Sequence, residues 1–572
     1  MPLQQVFFRS RASTLRLLAF SFAAFVTLLA GCRTREPGIR GDLLISGVRL
    51  VAMSDEAVAS GQSVLVAGDE ISWVGPASEE GRIGAARRVE GNGMFLVPGL
   101  IDMHAHIQDP RDLTVFLRHG VTTIASLSGD ASTLALREGV RDGSVVGPQI
   151  FTSGAILDGD PGRGDGNVPL ADAAAARDAV TAQIAAGYDF VKIYDLIEEE
   201  AYRAAVETAH AAGKPVFGHI PKPLGLEGVI GRHDVVAHAE EYYYTFFHDT
   251  NDRSRLGEAA RLTAEAGLAV IPNTGFFGTI IEQAEDLESF LARDEIRYVA
   301  PGTLADWLPE TNRYLGREPA WLENLRRMDP FLHELTRELH RAGVPLFAGS
   351  DAGAIGGIPG VSLRREIGEL HASGLTRYEA LAAATRVPGE WLSEHLGAAP
   401  RGRIAVGQRA DLLLLEADPL EDLAALASAL AVVAAGRWHD VSALEERIRA
   451  GSPPAGELLA WYREVRTLVA ASDFAALEER LATGPSDAFA EKLLNALGYR
   501  ALYLDHDAGA AVRIFELNSR SFPASANVWD SLGEGLAERG EVAAAIASYE
   551  KALALDPGND NAKRRIAGLR ER

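Results

Sequence analysis

From residue 95 to residue 350 the chain repeats one rhythm: a short apolar run, a turn, then a stretch whose apolar positions recur every three to four residues. Runs of the first kind suit buried strands, and stretches of the second kind suit amphipathic helices. Strands are predicted near Phe95–Asp102, Val121–Leu127, Gln149–Ser153, Phe190–Tyr194, Val216–His219, Val235–His238, Ala269–Asn273 and Pro345–Ser350. Helical patterns over Ala171–Ala186, Glu198–Ala212 and Arg253–Ala266 lie between several of them. Eight strands alternating with helices over about 260 residues predict an α/β fold, a (β/α)8 TIM-like barrel across 95–400. Residues 278–330 exceed an ordinary strand-to-helix loop and predict a helical insertion over the barrel mouth.

The flanks read differently. Leu43–Gly47, Ser63–Val66 and Ile71–Val74 are short strand candidates, separated by Gly/Asp turns such as Ala67-Gly-Asp-Glu70. A matching piece returns at Gly402–Leu415 and Ala431–Arg437, so segments 42–94 and 402–440 predict one small composite β-sandwich. From 455 to 572 the sequence turns Ala-rich and all-α. There Trp529, Leu532-Gly533, Gly540, Ala545, Tyr549, Ala552 and Pro557 follow the spacing of a tetratricopeptide repeat. Leu494, Leu497-Gly498, Ala501, Ala510, Ile514 and Leu517 repeat it imperfectly. Two such repeats cannot easily bury their own faces, so they are expected to stack on helices over 457–483. They offer a surface to a protein partner or a stabilising cap.

With 572 residues the chain exceeds what one hydrophobic core usually holds. Its formal charge of −23, from 56 basic and 79 acidic residues, argues against nucleic acid as a partner. Near the start, Arg9, Arg11 and Arg16 precede the apolar run Leu17–Ala30, which ends at Leu29-Ala-Gly-Cys32. A basic segment, a short apolar run and small residues make a secretory signal over 1–32. The run, at about fourteen residues, is short of the roughly twenty a membrane span needs. Leu29-Ala-Gly-Cys32 resembles the bacterial lipobox, which implies lipidation of Cys32 and an exported cell-envelope lipoprotein held to the membrane by its lipid alone. Arg33, in place of Asp after that cysteine, implies the periplasmic side of the outer membrane. Cys32 is the only cysteine, so no disulfide forms within one chain.

The chemistry gathers at strand ends. His104 and His106 lie in Gly99-Leu-Ile-Asp-Met-His-Ala-His-Ile107, and on a strand residues i and i+2 share a side. Two imidazoles then face one point, as a divalent transition metal requires. Lys192, His219, His238 and Asp351 follow in comparable contexts. The quoted run, Val191-Lys-Ile-Tyr194, Gly218-His-Ile220, Val236-Ala-His-Ala239 and Ala348-Gly-Ser-Asp-Ala-Gly353 together resemble the metal-dependent amidohydrolase superfamily over about residues 42–440. Within it, the lysine of strand 4 is similar to that of the imidazolonepropionase/prolidase-like group. The resemblance implies two divalent ions, zinc or manganese, with His104, His106 and Asp351 on the buried one and His219 and His238 on the other. It implies that Lys192, carbamylated by CO₂, bridges them. An ammonium would repel both ions, whereas a carbamate is a bidentate carboxylate. A water shared by the ions would become the nucleophile, with Asp351 as general base and then general acid towards the leaving nitrogen.

Substrate determinants are fewer. Tyr194 shares the strand face of Lys192, where its hydroxyl either reaches a substrate or packs in a barrel layer. Lys222, just past His219, either pairs with an anionic substrate or is solvated, and loop 154–168 is either a lid or an ordinary surface loop. Ala237 stands where many superfamily members carry an acid, and strand 2 reads Ala125-Ser-Leu-Ser where Arg-Asp-Leu-Gly is common. The expected activity is hydrolysis of a C–N bond in a small amide, dipeptide-like or cyclic. The alternatives are a lactonase or phosphotriesterase on the same site, or a repeat-mediated binding scaffold with an inactive barrel.

Overall fold

In the computed structural model, residues 38–160, 166–451, 453–485 and 488–571 are described. Cys32, the expected signal over 1–32 and residues 161–165 of the loop at 154–168 lie outside them.

Strands Leu100–Ala105, Val121–Ser126 and Gln149–Thr152 pair in parallel. Val191–Ile193, Val216–Gly218, Val235–Ala237 and Ala269–Ile271 do the same. Single bridges Ser153–Phe190, Val270–Leu346 and Ala105–Ala352 join these sets into a TIM-barrel-like ring. The segment expected as the eighth strand, 345–350, is too irregular for a ladder. It holds its place through Val270 N–H donating to Pro345 O (3.0 Å) and Met103 N–H donating to Ala348 O (3.1 Å).

Side chains alternate across the ring wall, as strand geometry requires. Ile101, Met103, Phe151, Phe190, Phe217, Val235, Ile271 and Phe347 fill the interior as one cluster. Val191, Ile193, Val216, Val236 and Val270 face the surrounding helices in a larger core. The expected helices form at Ala173–Ala186, Glu199–Ala211 and, after a 3₁₀ turn, Leu256–Glu265. The first is closed at both ends: Asp172 accepts from the backbone N–H of Ala174 and Ala175, and Gly187 takes the left-handed conformation.

The strand expected over 95–102 is two strands. Phe95–Pro98 pairs antiparallel with Leu412–Leu415 in the flanking sheet, and Leu100 starts the ring. Gly99 makes the break, because a Cβ there would strike the side chain of Thr122. Strands of the two flanks, expected to form one composite β-sandwich, are joined by hydrogen bonds in one eight-stranded sheet. Its long strand Ile39–Val51 bends at irregularities near Val48 and pairs with Ile83–Glu90 along one half and Phe95–Pro98 along the other.

The insertion is helical, through Thr274–Glu285, Leu287–Leu291 and Pro301–Ala305, before the long helix Pro319–Arg341. The C-terminal region is also helical: Ala455–Ala470, Phe474–Ala482, Ala488–Tyr503, Ala508–Ser521, Ala526–Glu538, Val542–Leu555 and Asp560–Arg570. Phe290, Leu304, Trp307 and Leu308 of the insertion share one apolar core with Leu458, Trp461, Phe489 and Leu497 of that region. Among the described residues no helix is long and apolar enough to cross a membrane.

Candidate metal centre

The ring brings five of the six expected ligands into a linked cluster at the C-terminal ends of its strands. His104 Nε2 lies 3.3 Å and His106 Nε2 3.1 Å from the same Asp351 Oδ1. The His104 and His238 rings are 4.7 Å apart, and those of His219 and His238 4.9 Å apart. Lys192, 1% exposed, is close enough to interact electrostatically with His104, His219, His238 and Asp351.

Local backbone geometry makes this convergence possible. His238 (φ 72°), Asn273 (φ 55°) and Asp351 (φ 50°) all adopt the left-handed conformation that non-glycine residues avoid. Such positions persist only where surrounding contacts impose them, and they cluster at functional sites. The backbone N–H groups of His238 and Asp351 are held by Ile271 O (2.8 Å) and His104 O (2.7 Å). Gly349 lets the chain entering Asp351 pass the His104 backbone, where a Cβ would lie 2.8 Å from His104 Cβ. Asp102 ties the first strand to the last: it accepts from Ser350 Oγ (2.5 Å), Ser350 N (3.0 Å) and His104 N (3.2 Å). Burial nevertheless raises its carboxyl to about 7, against the opposing pull of these donors.

Two residues that sequence reasoning missed set the state of the imidazoles. Asn273 spends its amide N–H on Gly349 O (2.9 Å), so the atom 3.1 Å from His104 Nδ1 is its acceptor oxygen. His104 Nδ1 must then carry the proton, which leaves Nε2 as a bare lone pair facing Asp351. Glu241 Oε1 lies 3.0 Å from His219 Nδ1 and selects the same tautomer there. Burial, joined by Lys192 and neighbouring histidines, holds His104 and His238 well below the ordinary imidazole range despite Asp351.

The donor set fits a cation. Nitrogen lone pairs pointing at a carboxylate oxygen repel unless something positive lies between them. The potential ligand atoms of His104, His106 and Asp351 all fall within 4.8 Å of one another. Lys192 Nζ is buried without a hydrogen-bond partner, and burial lowers its ammonium to about 8, against the pull of Asp351 and Glu241. An unpartnered ammonium is a costly thing to bury, so the position suits a lysine that is neutral or modified.

The two proposed substrate residues separate. The half-buried Tyr194 ring packs 4.2 Å from the His219 ring, at the site. Lys222 is engaged elsewhere, paired with Asp195 Oδ2 (3.2 Å) and lying over the Tyr244 ring (5.3 Å). The described part of loop 154–168 is tied down at its base, where Asp158 accepts from Leu196 N (3.0 Å).

The amidohydrolase family model matches residues 95–438, which takes in the ring, all six strand-end residues and the closing strands of the flanking sheet. This chain belongs to the amidohydrolase family. It is accordingly an enzyme, a hydrolase of carbon–nitrogen bonds. An uncharacterized protein from Mycobacterium tuberculosis is 27% identical over 371 residues, covering 60% of this chain and 85% of that one. Two solved structures share the fold. Bottromycin amidohydrolase is 22% identical with a TM-score of 0.59, over 72% of this chain and 91% of that one. A Xaa-Pro dipeptidase with bound methionine is 21% identical with a TM-score of 0.53, over 70% and 99%.

Proposed function

We propose that this amidohydrolase cleaves the C–N bond of a small amide, dipeptide-like or cyclic, and belongs with the imidazolonepropionase/prolidase-like group. His104, His106 and Asp351 would hold one divalent ion and His219 and His238 a second, zinc or manganese, with Lys192 as a carbamate between them. When bound, the ions would supply an activated water and polarise the scissile carbonyl. The chain's own residues do the rest. Asn273 and Glu241 keep the imidazole lone pairs turned inward. The Asp351 carboxylate, 3.3 Å from His104 Nε2 and 3.1 Å from His106 Nε2, takes a proton and returns it to the departing nitrogen. With its ammonium lowered to about 8, Lys192 offers a fraction of neutral amine, the form that adds to CO₂.

The observation that carries this reading is the pair of histidine nitrogens converging on Asp351 Oδ1 beside a buried, unpartnered lysine. Its likeness to a bottromycin amidohydrolase and a Xaa-Pro dipeptidase supports amide and dipeptide substrates. The test is a metal analysis of the purified chain with a screen of N-acyl amino acids, dipeptides, hydantoins and lactones, with and without chelator. About two divalent ions per chain and chelator-sensitive amide hydrolysis are expected. Absence of bound metal with no amide turnover overturns the reading.

The C-terminal helices are further proposed to be tetratricopeptide-like repeats. A Cβ at Gly533 would lie 2.9 Å from the Tyr549 ring, the close helix approach that such spacing serves. Export as a lipoprotein rests on the sequence around Cys32. Radiolabelled palmitate should enter the wild type and not Cys32→Ser; equal labelling defeats it.

A further inference from the structure

Lys222 leaves open which group at the ring mouth meets a charged substrate. The insertion supplies another cation. Arg313 is exposed, and its Nη2 donates to the Tyr314 hydroxyl (3.1 Å) with its guanidinium over the Tyr314 ring (5.2 Å). Among the described residues no carboxylate forms an ion pair with it, whereas Lys222 already has Asp195. Its charge acts on both Tyr194 and Asp351, so it lies near the catalytic end of the ring.

Its position is fixed from behind. Asn312 is buried, donates from Nδ2 to Gln283 Oε1 (3.0 Å) and accepts from Tyr314 N at Oδ1 (3.0 Å). Gln283, fully buried, donates in turn to Ile355 O (3.2 Å), a few residues beyond Asp351. Tyr314 stacks on Trp321 with centroids 6.4 Å apart and planes 11° from parallel. The turn that presents Arg313 is therefore bonded to the segment that presents Asp351. A guanidinium fixed in direction, free of a protein carboxylate and near the reacting groups is built for a planar anion, which it grips with two parallel N–H donors.

We infer that Arg313 is a specificity residue that binds a free carboxylate on the substrate, so that the preferred substrates are N-acyl amino acids or dipeptides with an unblocked C-terminus. The inference rests on the amide-hydrolase reading above. The insertion thus brings to the mouth a cation that, unlike Lys222, has no carboxylate ion pair among the described residues.

The test compares a dipeptide with its C-terminal amide, as the ratio of their kcat/KM values, in the wild type, Arg313→Met and Arg313→Lys. The wild type should favour the free acid, and Arg313→Met should lower the ratio by about 10- to 100-fold, mainly through KM, with Arg313→Lys intermediate. Arg317→Met removes an equal charge from the same insertion and should leave the ratio within about twofold. A second measurement needs no turnover: calorimetric titration with a non-hydrolysable sulfonamide of an amino acid and with its carboxamide. The acid should bind more tightly to the wild type and lose that advantage in Arg313→Met. No preference in the wild type, or equal losses in Arg313→Met and Arg317→Met, overturns the inference. A carboxylate preference in binding without turnover of any amide leaves it standing and removes the amide-hydrolase reading instead.

Discussion

Lys192 poses the sharpest chemical problem in the molecule. Its amine is buried without a hydrogen-bond partner, among imidazoles that offer it no charge and two carboxylates, Asp351 and Glu241, that already face histidines. Burying an ammonium this way costs several kcal/mol, and the side chain escapes the cost by losing its proton or its basicity. Carbamylation does the latter and supplies two oxygens in place of one cation. Lys192→Ala should therefore lose bound metal and lower kcat/KM by more than about 100-fold, since even outer-shell partners of metal ligands contribute 10- to 100-fold. The cavity left behind would admit a short carboxylate. Adding acetate or propionate should restore part of both metal content and rate, in a saturable way. Full activity of Lys192→Ala without added acid would remove the carbamate from the mechanism.

Strands and helices explain why so much of this site was legible in the sequence. Strand and helix periods differ, so apolar runs and amphipathic stretches separate cleanly in the chain, and ring strands present their chemistry at their C-terminal ends. His104, His106, Lys192, His219, His238 and Asp351 all sit at such ends, and the structure gathers them. What the pattern does not encode is contact between distant segments. Gly99 breaks an apolar run that reads as one strand, because Thr122 occupies the space a side chain would need. Asn273 looks like any polar residue after a strand; only the approach of Gly349 O fixes its amide and hence the His104 tautomer. Glu241 was visible beside His238, but its partner is His219, one strand away. Lys222 follows His219 closely in sequence, but Asp195 from the preceding strand's loop takes it. Arg313 could not be found at all from periodicity, since its direction depends on how a long insertion is held.

That hold is the work of the whole chain. The insertion and the C-terminal helices share one apolar core, and at their seam the shielded Glu310 carboxylate accepts from Tyr462 OH (3.0 Å) and pairs with Arg466 (3.3 Å). Lys492 and Asp306 pair across the same seam at 2.6 Å. The helical region is thus a structural neighbour of the catalytic mouth. Burying a large apolar side chain contributes about 1.5–3 kcal/mol, so exposing half the burial of Phe290, Ile296, Leu304, Trp307 and Leu308 would cost about 5 kcal/mol. That is comparable to the whole stability of an ordinary domain, about 5–15 kcal/mol. Two consequences can be measured together. Heating the full chain should unfold the insertion and the C-terminal helices in one calorimetric transition. A chain ending at residue 451 should be recovered largely insoluble, and its soluble fraction should bind carboxylate substrates more weakly because Arg313 is no longer held. A soluble truncated protein with unchanged kcat and KM, or a separate early transition for the helices in the full chain, would make the helical region an independent passenger.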